Sequence, residues 1–161
     1  MTDFEARIQA MEDHIAITQL RSSYCHFLDD RDWLSLANLF TDDGEFEGLA
    51  QVKGRNNILP FFRDTIATAF DGFWHFCSNP TVDLHGAYAT GRISMEYLSV
   101  KDGVSFVSAG HYEDRMVNDG SAWRFRSRKI TFYFLSPLSD GFVGQPTFMD
   151  PQGNPLRRET H

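Results

Sequence analysis

Apolar residues fall at Ile8, Met11, Ile15, Leu20, Tyr24, Phe27 and Leu28, close to helical spacing, and no Pro or Gly interrupts Asp3 to Asp29. The pattern predicts one long amphipathic helix, or two with a bend. Asp32 to Phe40 reads as a short second helix, Asp42-Asp43-Gly44 as the turn that ends this unit, and Glu45 to Gly48 as a short strand. Helical spacing returns between Asn56 and Phe70, at Ile58, Phe61, Phe62, Ile66 and Phe70, with Pro60 tolerable in a first turn.

After Gly72 the pattern is that of strands. Phe73 to Asp83, Ala87 to Val100, Val104 to Val117 and Ala122 to Leu135 are long segments separated by His85-Gly86, Asp102-Gly103 and Asn118-Asp119-Gly120, which are hairpin signals. Helices first and an antiparallel meander afterwards describe an α+β domain whose helices cover one face of a curved sheet, with the site expected in the cavity between them. Pro137, Pro146, Pro151 and Pro155 mark the end of the chain as irregular. The expected division is a domain over 1–138 and a tail over 139–161 that acts as a lid or a subunit contact.

Composition narrows the class. The 161 residues fit one domain with a real core. Apolar residues make up 42% and Phe alone numbers fifteen, more large apolar surface than a minimal core needs, so some is expected to line a pocket or an interface. The formal charge of −7 argues against a nucleic-acid surface. No apolar run approaches the roughly 18 residues of a spanning helix, so no membrane partner is expected. Two cysteines and the absence of a signal-peptide pattern make a reducing cytoplasm the expected compartment.

The candidate chemistry is a tyrosine and an aspartate ending the first helix, Tyr24 and Asp29, and a histidine in an aromatic strand, His75. Phenol, carboxylate and imidazole are the groups that water-excluded acid/base catalysis uses, because burial and contact move their pKa values toward neutrality. Asp29 sits at a helix C-terminus, where the macrodipole disfavours another negative charge; it is either a solvated terminator or a carboxylate with a cationic partner. Alternation puts His75 on one strand face with Phe73 and Cys77, as a satisfied core residue or a catalyst. Arg128 lies where the last strand changes phase, between inward Trp123 and Phe125 and the later Ile130, Phe132 and Phe134. It belongs to a solvated face or is aimed into the site by a bulge. His111, opposite Tyr112 and Asp114 in alternation, is a pocket residue or faces a neighbouring subunit. His14, His26, His85 and His161 lack ligand spacing, and nucleotide and nucleophile motifs are missing, so no metal and no cofactor are expected.

Ile17, Leu20, Tyr24 and Asp29 on the first helix, Asp32-Trp33 ahead of Leu39-Phe40-Thr41, His75-Phe76 with Asn79, Gly110 with Tyr112 and Asp114, and Trp123 to Arg128 together resemble one known group. In order and spacing they are similar to the cone-shaped SnoaL-like proteins of the nuclear transport factor 2 superfamily, above all its scytalone dehydratase-like branch, from Ile8 to about Leu138. The resemblance implies a cone-shaped α+β barrel. From the bile-acid 7α-dehydratases it implies a site of Tyr24, Asp29 and His75; from the hexachlorocyclohexane dehydrochlorinases, an Asp29–His75 dyad with Arg128. The latter carry lysine in place of Tyr24, and Tyr97 stands where the bile-acid enzymes use an aspartate.

The activity that the resemblance implies is cofactor-independent elimination, dehydratase-like, on a small hydrophobic cyclic or polycyclic hydroxylated substrate. An isomerase or cyclase using the same pocket, a hydrophobic-ligand binder, and a non-catalytic small subunit of a ring-hydroxylating dioxygenase are the alternatives. Substrate contacts are expected from Phe27, Tyr97 and Phe132, and from His111 if it faces the pocket. Relatives in this branch are often trimers, so a homotrimer is expected here.

Overall fold

A computed structural model describes residues 3–141 and the short segments 148–149 and 155–156. Helix α1 (Asp3–Asp29) buries Ile17, Leu20, Arg21, Tyr24, Cys25 and Leu28, an i, i+3, i+4 stripe that lies on the sheet. Its first half behaves otherwise. Ile8, Met11 and Ile15, expected on the same face, are exposed together with Phe4. At 3.6 residues per turn they point about half a turn away from the buried stripe.

Helix α2 (Trp33–Asn38) is capped by Asp32, whose side chain accepts from the Ser35 N–H. The next element corrects the expectation from sequence. Asp42-Asp43-Gly44 is no terminating turn but lies inside strand β1 (Phe40–Glu47), which pairs in parallel with β7 (Trp123–Pro137). Phe40 pairs with Phe125 and Glu45 with Ser127, so the turn-forming residues between them are accommodated as an irregularity that keeps both Phe40 and Phe46 inward. Strand β2 (Gln51–Lys53) follows, then α3 (Arg55–Pro60), a π-helical turn (Phe61–Ile66) and α4 (Ala67–Ala69). Pro60 has no N–H to continue the helix, and the wider turn begins immediately after it. Ile58, Phe62 and Ile66 still reach the core together.

Strand β3 (Gly72–Ser78) stops five residues earlier than expected, because Asn79 takes a left-handed conformation, φ 54°, ahead of Pro80. Asp83–His85 forms a separate strand, β4, which turns through Gly86 into β5 (Tyr88–Lys101). The two-residue turn Asp102-Gly103, with φ 52° and 75°, joins β5 to β6 (Val104–Asn118) and fits a type I′ hairpin. The seven-stranded sheet runs β2-β1-β7-β6-β5-β3, with β4 also on β5. Every pairing within it except β1–β7 is antiparallel.

The phase slip in the last strand is real. Between β6 and β7 the register shifts where Arg115 and Met116 face Ser127 and Phe125, leaving Arg126 as the extra residue. The bulge lets Trp123, Phe125, Arg128 and Ile130 all point inward. A second shift lies at Ala109/Gly110. The helices cover the inner face, and the tail expected as lid or contact lies largely outside the described residues. Among the described residues no helix is long and apolar enough to cross a membrane.

Candidate active site

The C-terminal end of α1 and the start of β3 bring Asp29 and His75 into contact. His75 Nδ1 lies 2.6 Å from Asp29 Oδ1, and the His75 backbone N–H donates to Asp29 Oδ2 at 3.0 Å. The carboxylate that the helix dipole disfavours thus gains two donors from one residue. Alternation along β3 makes the contact possible: Phe73, His75 and Cys77 face inward, while Trp74 and Phe76 are about half exposed. The His75 side chain is 7% exposed and that of Asp29 19%, so the pair is shielded yet near the rim. Tyr97, paired with His75 across β3 and β5, sets its ring 4.8 Å from the imidazole. Burial pushes the Tyr97 hydroxyl up to about 12. With Nδ1 engaged by the carboxylate, Nε2 is the ring nitrogen left for a substrate proton.

Tyr24 and Arg128 form a second cluster. The Arg128 guanidinium lies over the rings of Tyr24, Tyr112 and Phe125 at 4.1–4.3 Å. It is almost wholly buried, 1% exposed, and holds Asp114 in a fork, Nε to Oδ1 at 2.8 Å and Nη2 to Oδ2 at 2.9 Å. Burial alone would lower the guanidinium pKa, but the Asp114 charge and hydrogen bonds outweigh it and the net direction is up. Tyr24 meets Phe40, Phe62, Tyr112 and Phe125 edge-on or nearly so. Burial raises its hydroxyl far above the ordinary range despite Arg128, so it remains a protonated donor.

Two residues here carry roles that the sequence pattern does not assign. Arg21, one helical turn before Tyr24, donates Nε to Asp114 Oδ2 at 2.8 Å and Nη1 to the Thr81 carbonyl at 3.0 Å. Asp114 therefore serves two buried arginines, and Arg21 Nη2 and Arg128 Nη1 remain unpartnered among the described residues. The sequence signals for Asp114 are its alternation with Tyr112 and its place beside Gly110 and Tyr112 in the family resemblance, and neither names the arginines it holds.

Phe27 and Phe132 are half-buried and pack against the core, and Tyr97 touches His75. His111 does not join them. It pairs with Ser94 and Thr131 on the outer face, opposite Tyr112 and Asp114, with its ring 5.4 Å from that of Tyr133. A cavity of about 700 Å³ is lined by Glu45, Glu47, Arg92, Glu113, Arg115 and Lys129 together with Asp114 and Arg128 of the second cluster, and neither Asp29 nor His75 lines it. No group of three or more potential ligand side chains is clustered for a metal among the described residues.

A profile described as the SnoaL-like domain matches residues 9–129. Comparison with curated proteins gives no match. Among solved structures, a candidate scytalone dehydratase from Novosphingobium aromaticivorans is 23% identical, covering 94% of this chain and 97% of its own, with a TM-score of 0.75. The hexachlorocyclohexane dehydrochlorinase LinA-type3 from Novosphingobium barchaimii is 20% identical over 83% of this chain and 94% of its own, TM-score 0.76. A candidate aromatic ring hydroxylase from Novosphingobium aromaticivorans is 26% identical over 81% and 96%, TM-score 0.73.

Proposed function

This chain belongs to the SnoaL-like domain family, and from that premise we propose that it is a cofactor-independent lyase that removes water from a cyclic or polycyclic hydroxylated small molecule. The observation that carries the reading is the 2.6 Å contact between His75 Nδ1 and Asp29 Oδ1. Asp29 fixes the tautomer in which Nε2 is the base and stabilises the imidazolium that forms. His75 takes the proton next to an activating carbonyl, and the same proton is returned to the departing hydroxyl, which leaves as water. Tyr24, held protonated by burial, donates a hydrogen bond to the developing enolate oxygen. Arg128 offers Nη1 to the same charge, its other polar atoms being engaged by Asp114. Phe27, Tyr97 and Phe132 form the apolar walls for the ring system. Returning the proton to another carbon would make the same groups an isomerase.

The test is turnover of a panel of cyclic β-hydroxy ketones and steroid-like alcohols by the wild type, His75→Ala and Asp29→Asn. Each substitution is expected to lower kcat by about 10²–10⁴-fold. Undiminished turnover by folded His75→Ala sinks the mechanism.

The likeness to a candidate aromatic ring hydroxylase favours a second reading, a non-catalytic small subunit of a ring-hydroxylating dioxygenase. Co-purification with a large iron–sulfur subunit, and no turnover of any panel member, is its expected signature. In the lyase reading the chain works in a reducing cytoplasm and assembles as a homotrimer, which would cover part of the apolar surface left exposed on the outer face at Trp74, Phe76 and Leu98.

A further inference from the structure

Cys25 and Cys77 are the chain's two cysteines, and neither enters the acid/base chemistry proposed above. The fold nonetheless brings their sulfurs to 3.5 Å across 52 residues of sequence, with both thiols free. Cys25 follows Tyr24 on the buried stripe of α1, and Cys77 lies two residues past His75 on the inward face of β3. The thiol contact therefore joins the same two elements as the Asp29–His75 contact.

We propose that Cys25 and Cys77 are an oxidisable dithiol, a modification site at which a hydroperoxide converts the pair into an intramolecular disulfide that ties α1 to β3 beside Asp29 and His75. The two sulfurs are chemically unequal. When Cys77 ionises, the Cys25 S–H donates to it; that hydrogen bond, with the nearby Arg128 and Arg21 charges, holds the Cys77 thiol below its ordinary range against the opposing effect of burial. Cys25 is pushed up, by giving that hydrogen bond and by burial. Cys77 is also the less buried of the two, so it is the sulfur a small oxidant reaches.

In the first step the Cys77 thiolate attacks the terminal oxygen of the hydroperoxide. The O–O bond breaks, the departing alkoxide or hydroxide takes up a proton, and Cys77 becomes a sulfenic acid. In the second, Cys25 gives up its proton and attacks the Cys77 sulfur; the S–O bond breaks and the hydroxide leaves as water with that proton. The two thiols lose two electrons in total and the peroxide bond gains them. Disulfide sulfurs are about 2.0 Å apart, so the present 3.5 Å must shorten by about 1.5 Å as the bond forms.

The experiment treats the full folded chain with hydrogen peroxide, then alkylates it and measures intact mass and peptides. The expected result is simultaneous loss of both free thiols, a mass lower by two hydrogens, a peptide joining 25 to 77, and recovery with dithiothreitol. Cys25→Ser, or Cys25→Ala should the serine variant fold poorly, is expected to accumulate a dimedone-trappable sulfenic acid on Cys77. Cys77→Ser is expected to leave Cys25 unreacted. Persistence of both thiols, a sulfinic acid on Cys77 in the wild type without a cross-link, or a link only between separate chains overturns the proposal. Because these readouts are masses, they hold or fail independently of the lyase reading.

Discussion

Asp114 bears two guanidinium groups with no exposure of its own side chain, and its removal is the most consequential single change in the inner site. A buried charge pair broken on one side strands the partner; here two cations would be stranded, each already carrying an unpartnered nitrogen. Asp114→Ala is expected to destabilise the chain by about 3–5 kcal/mol, read from urea unfolding midpoints, whereas Asp114→Asn should cost less because it keeps one acceptor. A loss under about 1 kcal/mol for the alanine variant would mean the triad is not held as described. His111 gives a second, smaller test. Burial chiefly, with Arg92 and Lys129 and against Glu113, lowers its pKa from the ordinary 6.5. The folded state then binds fewer protons than the unfolded one, so the His111 contribution is full above about pH 6.5 and is lost as pH falls toward the lowered value. His111→Gln should flatten the decline of Tm between pH 7 and 5, and an unchanged slope would count against it. At this scale Asp29 and His75 were legible because each carried a local oddity, an acid at a helix end and a histidine among aromatics. Arg21 was not, since an arginine on a helix reads as a solvated charge until the partner 93 residues away is known.

The elements show why strand periodicity was the dependable signal and turn chemistry the ambiguous one. Asp102-Gly103 and Asp42-Asp43-Gly44 look alike as turn formers. The first closes a hairpin, with Gly103 at φ 75°; the second is absorbed into β1, because Phe40 and Phe46 on either side both have a core to fill. Burial decided between them, and burial is a property of the whole sheet. The bulge at Arg126 was readable for the opposite reason: apolar Trp123 and Phe125 and the later Ile130, Phe132 and Phe134 cannot share one period-two strand, so an extra residue must stand between them. Gly103→Ala, forced into a left-handed conformation, is expected to destabilise by about 1 kcal/mol. A thermal melt measures it, and a neutral result would show that the turn relaxes to another type. Replacement of Asp102 by Gly should be tolerated, since Asp102 is the one non-glycine residue that this turn holds in a left-handed conformation.

Across the whole molecule, the apolar surplus seen in composition divides into an aromatic interior and an exterior remainder. Among the described residues the remainder includes two groups, Phe4, Ile8, Met11 and Ile15 along the outer side of α1 and Trp74, Phe76 and Leu98 on the outer face of the sheet, while Leu34, Leu49, Tyr88, Val104, Leu135 and Leu138 are also exposed. The second is the more continuous, because Trp74 pairs directly with Leu98 and Leu98 with Val107, so three strands contribute neighbouring side chains. The proposed homotrimer is therefore expected to use the sheet face, and its dependence on that face can be measured. Static light scattering at micromolar concentration should give three times the chain mass for the wild type and for Met11→Ser. The double substitution Trp74→Glu with Phe76→Glu should give the monomer mass, because two charges placed in a closed apolar contact cost more than association supplies. If the Met11 variant dissociates instead, the helix stripe carries the assembly. If the wild type is already a monomer, both surfaces are open and the trimer proposal falls, while the Asp29–His75 site, built within one chain, remains to be judged by turnover alone.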